Sequence, residues 1–191
     1  QHDILTQLPN RALFMERLDR AVSRARWNRQ LLAVVLLDVD GLGAVNDALG
    51  HEVGDRLLQL LSERLLDCLR DKDTVARLGG DEFGIILENV STLNEISLAI
   101  QKIYMVLSLP YQVDGQEVSA TASAGICLFP EDGEDAPTLV RNAFTSISRA
   151  REQGRNNLQF YRADLNAKMA ERFDFETDLR RALEHKEFLL H

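Results

Sequence analysis

Apolar residues separated by three or four positions recur along several stretches of the chain, which is the spacing of one face of an amphipathic helix. In the first stretch, residues 10–30, the apolar positions are interleaved with Arg and Glu, and Asn10 stands where a helix N-cap is expected. The same spacing predicts helices that begin near Asp55 and that cover residues 92–107 and 137–153, followed by a charged helical tail over residues 163–187.

Strands are indicated by a different pattern. Residues 31–37 form an unbroken apolar run, which is typical of a strand buried on both faces, and the run leads directly into Asp38-Val39-Asp40. Short strands are predicted over residues 74–78, 83–87 and 158–161, and the first two are joined by a hairpin turn at Gly79-Gly80-Asp81-Glu82. A second predicted hairpin pairs 111–113 with 118–129. This order of elements predicts an α+β fold in which helices pack against one sheet.

Composition and charge narrow the classes of function. The 191 residues are 45% hydrophobic and 27% charged, which is typical of a globular domain. With 22 Lys and Arg against 30 Asp and Glu, the formal net charge of −8 argues against nucleic acid or an anionic membrane surface as the main partner. Cys68 and Cys127 lack metal-ligand spacing and are expected to be reduced packing residues of a cytoplasmic domain.

The sequence contains neither an apolar run of membrane-spanning length nor a recognisable signal peptide. It begins at Gln1 rather than Met and ends within the apolar run Phe188-Leu189-Leu190. We therefore expect a fragment of a longer parent protein, whose membrane anchors or sensor domains can lie outside this sequence.

Two acidic clusters are candidates for chemistry. Asp38 lies at the exit of the buried strand, where a carboxylate is costly unless it binds something, and Asp81 lies in the glycine-containing hairpin turn. If the two strands are neighbours, these carboxylates converge at one edge of the sheet and favour a hard cation such as Mg²⁺ or Mn²⁺. The alternative is structural, because Gly-Gly-Asp turns are common in hairpins and acidic residues often flank strands.

A basic cluster stands at the end of the last predicted helix, where Arg151 and Arg155 could reach a polyphosphate. The alternative is again ordinary, because cations in a final helical turn interact with the helix dipole and Gly154 suits a C-terminal cap. The sequence has no Walker-type phosphate loop, no dinucleotide-binding fingerprint and no HExxH motif.

The string RLGGDEFGIIL at residues 77–87 resembles the signature of GGDEF-domain diguanylate cyclases. Four further segments agree with that family in order and spacing: DILTQLPNR at 3–11, LLDVD with NDALGHEVGD at 36–55, SAGICLFPEDG at 123–133 and GRNNLQFY at 154–161. The tail ETDLRRALEHKEFLLH resembles the start of an EAL phosphodiesterase domain. The resemblance implies a GGDEF domain over residues 1–165, and over residues 166–191 a helical linker with the truncated start of an EAL domain.

The resemblance also implies a fold and an activity. The fold would be that of nucleotidyl cyclases and the polymerase palm, with a central, mostly antiparallel sheet flanked by helices. Two such domains would face each other as a homodimer, each holding one GTP, and would condense the two nucleotides into cyclic di-GMP with release of two pyrophosphates. An adjacent EAL domain in the parent chain would be a further partner.

Roles follow from the resemblance one position at a time. Asp38, Asp81 and the Val39 carbonyl would hold Mg²⁺ or Mn²⁺, and Glu82 would be the candidate base or hydroxyl-orienting group. The substrate-binding residues would be Asn46 and Asp55 on the guanine, Gly79 and Gly80 under the nucleotide, and Arg151 and Arg155 on the phosphates. Arg70 and Asp73 match an RxxD product-inhibition site, although Arg and Asp three residues apart also form ordinary surface ion pairs.

Several positions depart from the family pattern and leave two main functions open. Leu42 and Gly43 replace an aromatic residue and a Lys that meets the triphosphate, Arg151 replaces a second Lys, Gln7 replaces a Gly, and the last helix lacks the usual Asp and Tyr. One hypothesis is an active, product-inhibited diguanylate cyclase. The alternative is a catalytically weak module that binds GTP or cyclic di-GMP and regulates an adjacent EAL domain. A folded spacer is the third and least favoured option.

Overall fold

A computed structural model describes residues 1–168, which belong to two units divided between Tyr161 and Arg162. The first unit contains helices α1 (Arg11–Asn28), α2 (Leu42–Leu49), α3 (His51–Cys68), α4 (Leu93–Leu107) and α5 (Ala136–Glu152), and strands β1 (Leu31–Asp40), β2 (Thr74–Gly79), β3 (Glu82–Val90), β4 (Tyr111–Val113), β5 (Gln116–Val118), β6 (Thr121–Phe129) and β7 (Leu158–Phe160). In the second unit, the described part is a helical segment over residues 163–168. Most of the predicted charged tail lies outside the described residues.

The main sheet has five strands in the order β2-β3-β1-β6-β7. Strand β1 is antiparallel to both of its neighbours, β3 is antiparallel to β2, and β7 alone runs parallel to its neighbour β6. The prediction of an α+β fold with a mostly antiparallel sheet flanked by helices is therefore confirmed. The strand predicted to be buried on both faces is the central strand of that sheet.

The core follows from the alternation of side chains along β1. Leu32, Val34 and Leu36 project to one face, where they pack in a buried cluster with residues of α1 and α5 such as Phe14 and Leu139. Helix α4 contacts β3 and β6, and helix α3 packs against α4. Both faces of the sheet are thus covered, which explains why the β1 run is apolar at successive positions rather than at alternate ones.

Three expectations about individual elements were wrong. Helix α2 was not predicted, and α3 begins at His51 rather than near Asp55. The segment is only eight residues long, so its apolar positions Leu42, Val45 and Leu49 fall short of the window of roughly 11 residues over which helical spacing is recognised. Gly50, with φ of 96°, separates the two helices. The predicted strand over residues 118–129 is two strands, of which β5 pairs with β4 in a separate two-stranded sheet and β6 joins the main sheet.

Within the described residues, the structure also shows the state of the two cysteines and the character of the helices. Cys68 and Cys127 are free thiols. None of the helices within residues 1–168 combines the length and the apolar character that a bilayer crossing requires.

Candidate active site

The two acidic clusters that the sequence singled out lie side by side at one edge of the main sheet. Asp38 stands opposite Glu82 on β3 in the register of the sheet and opposite Ser123 on β6. The Val39 backbone N–H donates to the carbonyl of Asp81 at 3.0 Å. The direct pairing of β1 with β3 thus makes two distant chain segments neighbours at the point where each carries its acidic residues.

Asp38 is almost completely buried, with 1% of its surface exposed, although it is a carboxylate. Its Oδ2 atom pairs with the Nη2 atom of Arg151, while its Oδ1 atom is buried and has no hydrogen-bond partner. Because a buried carboxylate is strongly destabilising without a counter-charge, the guanidinium offsets much of that cost. The unpartnered Oδ1 atom leaves an open acceptor on the same side chain.

Arg151 reaches Asp38 because α5 lies very close to β6. A Cβ atom at Gly125 of β6 would stand 2.1 Å from the Ala143 carbonyl oxygen and 2.6 Å from the Ile147 nitrogen, so a glycine is required there. Ile147 and Arg151 are four residues apart on the same helix face. The close contact at Gly125 therefore sets the position of α5 one turn before the arginine.

Asp40 has a different environment from Asp38, although the two lie on the same face of the strand. Its carboxylate accepts hydrogen bonds from the Thr121 and Ser123 hydroxyls, both at 2.8 Å, and from the Asn156 backbone N–H at 2.9 Å. The Nη1 atom of Arg155 lies 3.6 Å from Asp40 Oδ1. Both carboxylate oxygens of Asp40 are thus occupied by this chain, whereas Asp38 keeps one open.

The glycine turn of the signature is exposed, and Arg77 supports it through hydrogen bonds. Gly79 and Gly80 have φ angles of 143° and 49°, and a Cβ atom at either position would meet nothing within 4 Å. The Nε and Nη2 atoms of Arg77 donate to the Gly80 carbonyl at 3.0 and 2.8 Å, and its Nη1 atom pairs with Asp3 at 3.1 Å. The turn leaves open space above the backbone in which a large group can lie.

The same contacts perturb the Asp3 carboxyl. Burial by itself raises the pKa of Asp3, but hydrogen bonds from Thr6 and the hydrogen bond and charge of Arg77 outweigh it and lower the pKa below its ordinary value. When Asp3 is ionised, its ion pair with Arg77 therefore links the N-terminal segment to the signature hairpin.

The predicted guanine-binding residues lie on the two helices that follow β1. Asn46 belongs to α2, and Asp55 is exposed in the first turns of α3. The Oδ1 atom of Asn46 is buried without a hydrogen-bond partner, and a Cβ atom at Gly54 would stand 1.7 Å from it. The absence of a side chain at Gly54 thus makes room for the Asn46 amide beside Asp55.

A divalent cation is compatible with the residues at the sheet edge. Within residues 1–168, no group of three or more His, Cys, Asp and Glu side chains has the geometry of a metal centre. The predicted ligand set instead combines two carboxylates, those of Asp38 and Asp81, with the Val39 carbonyl, all of them hard oxygen donors that suit Mg²⁺. The unpartnered, buried Oδ1 atom of Asp38 is the observation that fits such a cation.

The RxxD residues form a compact ion pair at the far end of the signature hairpin. Arg70 donates from Nε and Nη2 to the two carboxylate oxygens of Asp73, both at 3.0 Å, and from Nη2 to the Glu88 carbonyl at 2.9 Å. The hydrogen bond from Arg70 to Asp73 raises the pKa of the arginine. A groove of about 300 Å³ beside the pair is lined in part by Cys68, Leu98 and Lys102.

Three features of the site were not assigned from the sequence. They are the packing of α5 on Gly125, the space that Gly54 leaves for the Asn46 side chain, and the hydrogen bonds that occupy the Asp40 carboxylate. A glycine within a predicted strand is a usable signal of close backbone approach and would have pointed to Gly125. The other two depend on which side chains meet across distant segments, so local patterns carry no signal for them.

Comparison with known proteins identifies the family. A profile described as diguanylate cyclase, GGDEF domain, matches residues 1–157. The bifunctional diguanylate cyclase/cyclic di-GMP phosphodiesterase MucR of Pseudomonas aeruginosa is 42% identical over 190 residues, which are 100% of this chain and 28% of MucR. The cyclic di-GMP phosphodiesterase NbdA of the same organism is 37% identical over 191 residues, which are 100% of this chain and 24% of NbdA. The chain thus spans about a quarter of the length of these relatives.

Solved structures agree with the sequence comparison. The GGDEF domain of TpbB from Pseudomonas aeruginosa superimposes with a TM-score of 0.82 and 36% identity, covering 85% of this chain and 95% of that one. The curated TpbB protein is named a diguanylate cyclase and is 37% identical over 166 residues, which are 86% of this chain and 38% of TpbB. Since the profile match covers most of the sequence and the fold is shared, the chain belongs to the GGDEF-domain family.

Proposed function

We propose that this domain is a diguanylate cyclase that condenses two GTP into cyclic di-GMP and two pyrophosphates. The single observation that carries the proposal is Asp38, a buried carboxylate that meets the signature hairpin and keeps one oxygen without a partner. A carboxylate that served only the fold would have both oxygens satisfied, as Asp40 has. The open oxygen of Asp38 therefore favours a ligand over a structural role.

Each residue contributes a distinct interaction in this proposal. Asp38, Asp81 and the Val39 carbonyl would hold Mg²⁺ or Mn²⁺, which supplies charge neutralisation at the phosphates when bound. Asn46 and Asp55 would hydrogen-bond the guanine and discriminate against adenine, because adenine lacks the N1–H and N2–H donors that a carboxylate accepts.

The reaction needs two protomers that face each other. The 3′-hydroxyl oxygen of one GTP forms a bond to the α-phosphorus of the other, the bond from that phosphorus to pyrophosphate breaks, and the hydroxyl proton leaves to a base. Glu82, opposite Asp38 in the sheet, is the proposed group that accepts or orients this proton. Gly79 and Gly80 give the nucleotide room over the turn, and Arg151 and Arg155 balance the charge of the triphosphate.

Product feedback is the second part of the proposal. Arg70 and Asp73 lie just before the start of β2, and the glycine turn lies at its other end, about 20 Å away for six residues of extended chain. A cyclic di-GMP molecule on Arg70 would therefore contact the same hairpin that carries Asp81 and Glu82. The half-exposed guanidinium of Arg70 and the adjoining groove support a ligand at this position.

Turnover tests the cyclase proposal. The whole chain, fused to a dimerising coiled coil, is incubated with GTP and Mg²⁺, and the nucleotides are separated chromatographically. We expect cyclic di-GMP from the wild type, none from Glu82→Gln, and normal amounts from Glu63→Gln, an exposed control on α3. Absence of product from the wild type, alongside a working control cyclase, would contradict the proposal.

A second candidate function is supported by a specific observation, the engagement of Arg151 with Asp38 together with Gly43 in place of the usual Lys. A charge-assisted hydrogen bond contributes about 1.5–3 kcal/mol, so loss of the Lys predicts roughly 10- to 100-fold weaker handling of the triphosphate. The domain would then bind GTP without turnover and regulate an EAL domain in the parent chain. In such a parent, an Asp55→Ala variant that no longer binds GTP should change the phosphodiesterase rate, and an unchanged rate would exclude this function.

A further inference from the structure

Asp40 connects three separate parts of the chain near the candidate active site. Its carboxylate belongs to the last residue of β1 and accepts from Thr121 and Ser123 at the start of β6. The third donor is the backbone N–H of Asn156, which belongs to the turn after α5. With 8% of its side chain exposed, Asp40 is buried enough for these hydrogen bonds to be strong.

The turn after α5 has a backbone conformation that needs external support. Gly154, Arg155 and Asn156 have φ angles of 100°, 63° and 47°, so three successive residues are left-handed and two of them carry side chains. A residue with a Cβ atom adopts this conformation at an energetic cost, which is larger for Arg155 than for Asn156, so contacts from the surrounding structure stabilise the turn. Asp40 stabilises the turn by accepting from the Asn156 backbone N–H. Asn157 stabilises it as well, by donating from Nδ2 to the Ala150 carbonyl at 2.7 Å.

The same turn carries Arg155, a proposed phosphate ligand. The guanidinium is 3.6 Å from Asp40 Oδ1, and 55% of the Arg155 side chain is exposed. The carboxylate therefore faces one side of the guanidinium and leaves the other side accessible. Because Asp38 and Asp40 are two residues apart on one strand face, Arg155 is directed to the edge of the sheet where Asp38 lies.

We propose that Asp40 is a positioning residue, which fixes the turn at Arg155 and Asn156 and thereby sets the Arg155 guanidinium for the nucleotide phosphates. Asp40 itself binds neither the metal nor the substrate, since its oxygens are occupied by Thr121, Ser123 and Asn156. This inference rests on the proposed function, because it assumes that GTP occupies the site. It assigns to Asp40 a role distinct from that of Asp38 in the same short motif.

A double-mutant cycle tests the inference. The affinity of the whole chain for a non-hydrolysable GTP analogue with Mg²⁺ is measured by calorimetry for the wild type, Asp40→Ala, Arg155→Ala and the double variant. Each single change is expected to weaken binding about tenfold, the loss of one charge-assisted contact. If Asp40 acts through Arg155, the double variant binds within about twofold of Arg155→Ala alone. Independent, multiplying losses would overturn the inference.

Two further variants separate positioning from simple stability. Thr121→Val removes a hydrogen bond to Asp40 on the β6 side only, and it should lower the melting temperature while leaving nucleotide affinity within about twofold. Asp40→Asn keeps an acceptor for the Asn156 N–H, so it should retain both the hydrogen-exchange protection of that amide and affinity within about threefold. Loss of binding in Asp40→Asn with the amide still protected would overturn the inference.

The remaining outcomes are also decisive. Should Asp40→Ala fail to fold, Asp40→Ser replaces it, because the serine hydroxyl is polar but too short to reach the turn. A wild-type chain that binds no GTP analogue overturns the proposed function together with this role of the turn. A wild-type chain that binds, combined with additive effects of the two alanine variants, overturns the positioning role alone.

Discussion

Adding one methyl group at Gly54 should weaken nucleotide binding while leaving the free energy of unfolding almost unchanged. Gly54 is buried in α3, and a Cβ atom there would stand 1.7 Å from Oδ1 and 2.9 Å from Cγ of Asn46. Backbone atoms are not among these contacts, so Gly54→Ala can be accommodated if the Asn46 amide rotates away. The rotation costs about 0.5–1.5 kcal/mol if it forces an unfavourable rotamer, and alanine in a helix gains about 0.8–1.0 kcal/mol over glycine.

The two terms nearly cancel, so the free energy of unfolding should change by less than about 1 kcal/mol, a shift of at most roughly 2–4 °C in melting temperature. Under the proposed function, nucleotide binding should weaken much more, because the displaced Asn46 amide would no longer meet the guanine. Losing a hydrogen bond and leaving its partner unsatisfied costs about 1–3 kcal/mol, or roughly 5- to 150-fold in affinity for a GTP analogue.

Gly43→Ala is the matched control for the same chemical change. A Cβ atom at Gly43, in helix α2, would meet nothing within 4 Å. This variant should raise the free energy of unfolding by about 0.5–1 kcal/mol and leave nucleotide affinity unchanged. Calorimetric titration and thermal melting of both variants give the comparison. Unchanged affinity in Gly54→Ala, with NMR showing that the Asn46 amide has moved, would refute the role of Asn46 in guanine binding.

Four further perturbations have defined outcomes. Gly125→Ala forces a Cβ atom against the backbone of α5 and should cost at least about 1–3 kcal/mol in chemical denaturation; a cost below 0.5 kcal/mol, roughly the background for neutral changes, would contradict the close contact. Arg151→Ala leaves Asp38 without its counter-charge, so it should destabilise the metal-free domain and tighten binding of Mn²⁺, followed by calorimetry; weaker Mn²⁺ binding would contradict the competition. Arg70→Ala should weaken cyclic di-GMP binding at least about tenfold without changing GTP-analogue affinity, and equal losses of both would exclude a separate product site. Because the pKa of Asp3 is lowered in the folded state, its ionised form stabilises the fold fully at pH values above the ordinary pKa of 3.8. This contribution is lost as the pH falls through the lowered folded-state pKa. Asp3→Asn should therefore flatten the acid side of the curve of unfolding free energy against pH, and an unchanged curve would contradict the ion pair.

The sequence was sufficient to predict the fold class and most of the elements that carry the site. The apolar run before Asp38 predicted a strand buried on both faces, and that strand is the centre of the sheet. Asn10 was predicted as an N-cap, and its side chain accepts from the Leu13 N–H at 3.1 Å. These features succeeded because periodicity, capping and turn chemistry act over a few neighbouring residues, so the local pattern contains the cause of the local structure.

Failures occurred where the local pattern is too short or fits more than one structure. Helix α2 has eight residues, none of them buried, and is shorter than the window of roughly 11 residues in which helical periodicity is recognised. The segment over residues 118–129 reads as one strand, but Val118 pairs with Tyr111 while the residues from Thr121 onward pair with β1. No local periodicity distinguishes one pairing partner from another.

The amino-acid sequence by itself determined which residues are candidates for the chemistry: a pair of aspartates after a buried strand, a glycine turn with two acids, and arginines at and after the end of the last helix. Only the tertiary structure decided how these residues differ. Asp38 and Asp40 are equivalent in the sequence pattern, but the register of β1 with β6 places two hydroxyls on Asp40, and the approach of α5 at Gly125 places Arg151 on Asp38. The open oxygen of Asp38 thus results from long-range packing, because hydrogen-bond partners are assigned by whichever distant segments the folded chain brings within 3 Å or so.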